Sequence, residues 1–305
     1  ALIVGASGAI STPASSELLF RYAPPRHAPV IFAIKQTGVP MGGILAGILV
    51  PIFILASGWR GAFVISGLMC IVAAFLLQPW RARFDEHRQV GRTLMPTTEL
   101  LRTVGMVFNH PQTREISFAM FTFVGAQAVY AAFFVLFLVE GLGYELTVAG
   151  QVFAASQVVA VVARIFWGWL AGSFIAPRKM LALLGLGIAG SSVMTGLITD
   201  DWGIPLVLTA ACAFSATAVS WHGVLLAEVA RLAPPGQVGS LTGGVLSLGY
   251  IAMMGYPALY GFILANGGGF TFGFLIIGVP AFIAGCLLLR RPTHSAKLTE
   301  KQNDA

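Results

Sequence analysis

Apolar residues run in nine blocks separated by short polar breaks, near 1–20, 31–56, 61–79, 116–139, 147–173, 180–199, 204–229, 239–265 and 270–289. Each block approaches the roughly 20 apolar residues that a helix needs to cross a bilayer. The breaks carry turn chemistry, as in Ala23-Pro24-Pro25, Gly58-Trp59, Asp200-Asp201-Trp202-Gly203, Ala233-Pro234-Pro235-Gly236 and Asn266-Gly267-Gly268-Gly269. The pattern therefore predicts an all-α, polytopic membrane protein with nine transmembrane helices. One longer polar and basic segment, 80–115, interrupts the series. Within it Pro96-Thr97-Thr98-Glu99 precedes Leu100, Leu101, Val104, Val107 and Phe108, which predicts a capped amphipathic helix lying along the inner membrane surface.

Lysine and arginine are retained on the cytoplasmic side, and sixteen of the eighteen fall in the tail or in alternate breaks that share one side. Arg60 stands opposite, and Arg164 lies inside a span. The long segment and the tail after Arg290 are therefore expected to be cytoplasmic. Composition agrees, with 57% hydrophobic residues, 10% charged residues and a mean hydropathy of +0.83, against roughly 25% charged residues in soluble domains. A net charge of +6 is scattered through short segments, with no continuous basic face, so nucleic acid is excluded as a partner. Cys70, Cys212 and Cys286 have neither metal-ligand nor disulfide spacing. No metal or cofactor is expected.

The chain also repeats itself. Glu17 and Arg21-Tyr22-Ala23-Pro24-Pro25 return as Glu228 and Arg231-Leu232-Ala233-Pro234-Pro235, and Gly58-Trp59-Arg60-Gly61-Ala62-Phe63 is echoed by Gly269-Phe270-Thr271-Phe272-Gly273-Phe274. Repeats of this kind are what secondary transporters are built from, with the substrate site where the halves meet. The repeat pairs the first three spans with the last three, so three spans are expected to be absent at the front. Four segments follow: 1–79 as the remainder of an N-terminal half, 80–115 as the connector, 116–289 as a six-helix C-terminal half, and 290–305 as the tail.

This arrangement resembles the major facilitator superfamily. Gly58-Trp59-Arg60 with Phe63 looks like that family's turn between its fifth and sixth helices, and Lys35-Gln36-Thr37-Gly38-Val39-Pro40-Met41-Gly42-Gly43 looks like the start of its fifth. Trp221-His222-Gly223, followed by Glu228-Val229-Ala230-Arg231, resembles bacterial members near the cyanate and nitrate porters. The resemblance implies a 6+6 fold, alternating access by rocking of the halves, a bacterial inner-membrane location and a monomer. In the second copy of the family's gating motif Gly168 matches, Gly172 stands where the aspartate would be, and Pro177-Arg178-Lys179 keeps the basic end.

An arginine inside a span costs about 2.5–3.5 kcal/mol on insertion scales and normally faces a partner or a cavity. Arg164, four residues before Gly168, is such a residue. In nitrate and monocarboxylate porters an arginine at this place meets the substrate anion, and the resemblance implies that role for Arg164; a structural arginine pairing with carbonyls or Glu228 is the other reading. His222 is a candidate for substrate or proton binding, because imidazole titrates near neutral pH, or a hydrogen-bonded interior histidine. Gln127, Tyr130, Gln157 and Tyr250 are polar residues on apolar helices that line the path or bond a neighbouring helix. Glu17 with Arg21, and Glu228 with Arg231, are spaced to pair on a helix and read as gate latches. The expected function is proton-coupled transport of a small organic or inorganic anion. The alternatives are a proton-driven drug or metabolite efflux antiporter and, more remotely, a membrane-embedded enzyme or sensor, for which no catalytic His-Glu-x-x-His spacing or Ser, His and acid set is found.

Overall fold

The computed structural model describes residues 2–24, 26–81, 103 and 105–290. The amphipathic helix expected at 96–108 falls largely outside the described residues, as does the tail beyond Arg290. Among the described residues these helices follow one another: α1 (Leu2–Tyr22), α2 (Ala28–Gln36), α3 (Gly38–Leu77), α4 (Pro111–Leu136), α5 (Leu146–Ser173), α6 (Pro177–Gly196), α7 (Ile204–Phe214), α8 (His222–Leu232), α9 (Val238–Ala265) and α10 (Gly269–Leu289). A π-helical turn, Phe137–Gly141, extends α4, and a second, Ser215–Val219, leads from α7 towards α8. No strand occurs among the described residues.

Seven helical stretches among the described residues are long and apolar enough to cross a membrane: Ala56–Trp80, Pro111–Gly141, Thr147–Ser173, Pro177–Gly196, Ile204–Leu232, Val238–Ala265 and Gly269–Leu289. They coincide with seven of the nine expected spans. The first expected span is the 21-residue α1. The second is divided, because α2 ends at Gln36 and α3 begins at Gly38.

Two compact units result, residues 37–99 and residues 1–36 with 100–305. In the smaller unit, the expected turn at Gly58-Trp59 is a kink inside α3, where Gly58 takes φ 69°, a left-handed conformation that glycine alone adopts without steric cost. The Arg60 guanidinium lies over the Trp59 ring at 4.8 Å.

In the larger unit the most intimate pair is α6 with α10. A Cβ on Gly185 would stand 3.0 Å from the Gly285 backbone, so only glycines let these helices approach so closely. The core is aromatic. Tyr130 stacks on Phe214 at 4.7 Å, and Phe123, Phe134, Trp221, Tyr260 and Phe274 are buried around them. Apolar side chains such as Phe174, Met254 and Phe262 face outwards, as a surface against lipid requires.

Candidate functional site

The stretch Ile204–Leu232 is a broken helix. Ser215–Val219 widens into the π turn, and Ser220 and Trp221 separate it from α8. A break frees backbone carbonyls, and in an apolar medium each one left unsatisfied costs several kcal/mol. Side-chain donors meet them. The Trp167 Nε1–H donates to the Ala216 carbonyl at 2.7 Å, Arg164 Nη2 to Val219 at 2.6 Å, and Trp221 Nε1 to Ala218 at 2.8 Å. In the other direction the Ser220 hydroxyl donates to the Ala160 carbonyl at 2.9 Å. Ala160, Arg164 and Trp167 are one helical turn apart, so a single face of α5 is knitted to the break.

Arg164 holds a second backbone. Its Nη1 donates to the carbonyl of Gln36, the last residue of α2, at 2.5 Å. The side chain is 4% exposed, its Nε has no partner, and no ion pair joins it to a carboxylate among the described residues. A cation is thus buried on neutral acceptors alone.

Three glycines seat α2 beside it. A Cβ on Gly168 would lie 2.7 Å from the Ala33 Cβ and 2.9 Å from the Pro29 carbonyl oxygen. One on Gly172 would lie 2.6 Å from the Arg26 carbonyl oxygen, so the aspartate of the gating pattern has no room there. Gly223 at the start of α8 meets the Ala33 backbone in the same way. The order of these contacts, Gly172 to Arg26, Gly168 to Pro29 and Ala33, Arg164 to Gln36, makes α2 and α5 antiparallel.

His222 is the first residue of α8 and stacks on Trp221, with ring centroids 3.8 Å apart. Its Nδ1 is buried without a partner, while the neighbouring Val219 carbonyl is already held by Arg164. The imidazole lies in the field of two cations, Arg164 and Lys35. Arg164, His222 and the end of α2 therefore form one cluster.

The other candidates are distributed differently. Gln157 is half-buried on α5, seven residues and so two turns before Arg164. Tyr250 is 44% exposed on α9. Gln127 on α4 has a buried, unpartnered Oε1. Tyr130 is fully buried, its hydroxyl 2.7 Å from Ser156 Oγ and donating to the Ala211 carbonyl at 3.2 Å.

Both expected latch pairs form, on different terms. Glu17 receives Arg21 at 3.4 Å, and its second oxygen accepts the Gly239 N–H in the first turn of α9 at 2.9 Å. It therefore ties α1 to α9. Glu228, 1% exposed, takes Arg231 through two bonds of 2.6 and 2.8 Å on its own helix. Arg178, which the sequence marks only as the basic end of the gating pattern, pairs with Glu115 and sits 3.5 Å from the Leu287 and Arg290 carbonyl oxygens, joining α4, α6 and the end of α10. Sequence reasoning passed over Lys35 and Trp167 as site residues. Trp167, one turn from Arg164, was detectable by that spacing. Among the described residues no group of three or more His, Cys, Asp and Glu side chains is placed to hold a metal.

A family model described as Major Facilitator Superfamily matches residues 1–255. Monocarboxylate transporter 11 of Mus musculus is 26% identical over 289 residues, covering 90% of this chain and 62% of its own length. The hexuronate transporter of Bacillus subtilis is 24% identical over 290 residues, covering 90% of this chain and 68% of its own. The chain thus spans about two thirds of these relatives, which are transporters and not enzymes. Among solved structures, the E. coli fucose:proton symporter FucP superimposes with a TM-score of 0.68 at 18% identity, covering 92% of this chain and 73% of that one.

Proposed function

Because the chain belongs to the Major Facilitator Superfamily, a family of multi-pass membrane transporters, we propose that it moves a small anion together with a proton by alternating access. The observation that carries this reading is Arg164, a guanidinium buried on two neutral carbonyls and paired with no carboxylate among the described residues. A carboxylate or similar oxyanion is a stronger acceptor than a carbonyl and fits the planar fork, so an arriving substrate is the natural counter-charge. His222, in the same cluster, carries the coupling proton. Gln157, Tyr250 and Gln127 line the approach, and Tyr130 steadies the break between α7 and α8 from the core.

Nine spans, with the segment 80–115 and the tail 290–305 on the cytoplasmic side of a bacterial inner membrane, give the topology. Residues 1–79 belong to the N-terminal half and 116–289 to the C-terminal half, and the protein works as a monomer. The end of α1 that carries Arg21 and the turn before α2 that carries Arg26 then close the cytoplasmic side against α9, α5 and α8. Glu17, Arg21, Glu228, Arg231 and Gly168 form that closure. Drug efflux is the second reading, and it calls for an acid buried along the spans. Glu228 is buried but paired with Arg231 one turn from the end of α8, and Glu17 is paired with Arg21, so neither stands free for a cation.

Vesicles containing the purified protein test the function. Uptake of labelled small carboxylates should rise when an inward proton gradient is imposed and should saturate. Uptake of none of them, with transport of apolar cations instead, would favour the efflux reading.

A further inference from the structure

Lys35 is a second cation at the level of Arg164. It immediately precedes Gln36, whose carbonyl Arg164 holds at 2.5 Å. It stands seven residues after Ala28 and three after Phe32, on the face of α2 that packs against Leu226, Ala227 and Ala230 of α8. That face leads to the start of α8, where His222 stands. The lysine is half-buried, and its ammonium has no hydrogen bond or ion pair among the described residues.

The nearby acids are already engaged. Glu17 holds Arg21 and the Gly239 amide, and Glu228 holds Arg231. Arg164 thus bonds the carbonyl of the residue next to Lys35, and among the described residues no carboxylate is paired with either cation. A single carboxylate would neutralise one and leave the other in a partly desolvated setting, where an unpaired charge is costly.

We infer that Arg164 and Lys35 together select a substrate carrying two negative charges, such as a dicarboxylate, with the guanidinium taking one acid group and the ammonium the other. The inference rests on the anion reading above and names its substrate class. Arg164, the planar fork, fixes the orientation of the first group. Lys35, a point charge on a flexible stem, accommodates the distance to the second.

Calorimetric titration of the purified protein with succinate, glutarate and adipate, against butyrate and succinamate, tests it at a pH where carboxylic acids are ionised. The wild type should bind at least one dicarboxylate about tenfold or more tightly than the singly charged ligands. Lys35→Gln should bring the ratio of succinate to succinamate affinity close to one, and Lys35→Arg should restore the preference for the doubly charged ligand. The succinate and succinamate pair reads the second charge in the wild type alone, so a variant that fails to accumulate does not block the test. Equal affinity for doubly and singly charged ligands, or a preference that survives Lys35→Gln, overturns the role of Lys35 and leaves the anion reading standing. Binding of none of these anions overturns both.

Discussion

The guanidinium of Arg164 closes the end of α2 by donating to the Gln36 carbonyl, and with its other arm it closes the break before α8 at Val219. One side chain thus joins three backbone segments. If a substrate anion draws this fork towards itself, the hold on α2 weakens at the same moment, and binding is linked to movement.

The seating of α2 depends on glycine. Gly168→Val should push Ala33 and Pro29 away, since even a Cβ would sit 2.7 Å from the Ala33 Cβ. Overpacking of this kind costs about 1–3 kcal/mol. Uptake should fall by about tenfold or more while the protein still inserts. Gly190→Val, at an open position on α6, is the control and should transport normally. Membrane expression and uptake, measured together, decide this.

Glu17 holds α1 to α9, whereas Glu228 pairs on its own helix. Glu17→Gln should therefore loosen the first turn of α9, because a charge-assisted bond is roughly twice as strong as a neutral one. Faster hydrogen exchange at Gly239 and its neighbours is the expected result. Glu228→Gln should leave exchange there unchanged.

Trp167→Phe keeps the ring and removes the N–H that meets the Ala216 carbonyl. Leaving that acceptor unsatisfied costs about 1–3 kcal/mol. The melting temperature should drop, and carboxylate affinity should be retained. A loss of affinity without a loss of stability would place Trp167 in the binding site instead.

Seven spans were legible because lipid imposes long apolar runs, and Arg164 because a charge inside such a run has few explanations. Gly168 was visible through its match to the gating pattern. The break at Ser215–Trp221 was hidden, since Ser-Ala-Thr-Ala-Val contains neither proline nor glycine and reads as part of one apolar block. The Gln36 carbonyl was invisible for another reason. A backbone acceptor carries no side-chain signature, so the partner of Arg164 appears only once α2 lies against α5. Glu115 with Arg178 and Glu17 with Gly239 are 63 and 222 positions apart, beyond any local pattern. The division of the second span at Thr37 falls in Lys35-Gln36-Thr37-Gly38-Val39-Pro40, a polar stretch with glycine and proline that the apolar pattern left inside one span.

Titration of Arg164 variants with the carboxylate that binds the wild type most tightly addresses the central claim directly. Arg164→Lys should weaken binding strongly, by about tenfold or more, and Arg164→Ala should abolish it while the protein remains folded and inserted. Near-normal affinity in Arg164→Ala would contradict the account and leave this arginine as a clasp between α2 and the broken helix.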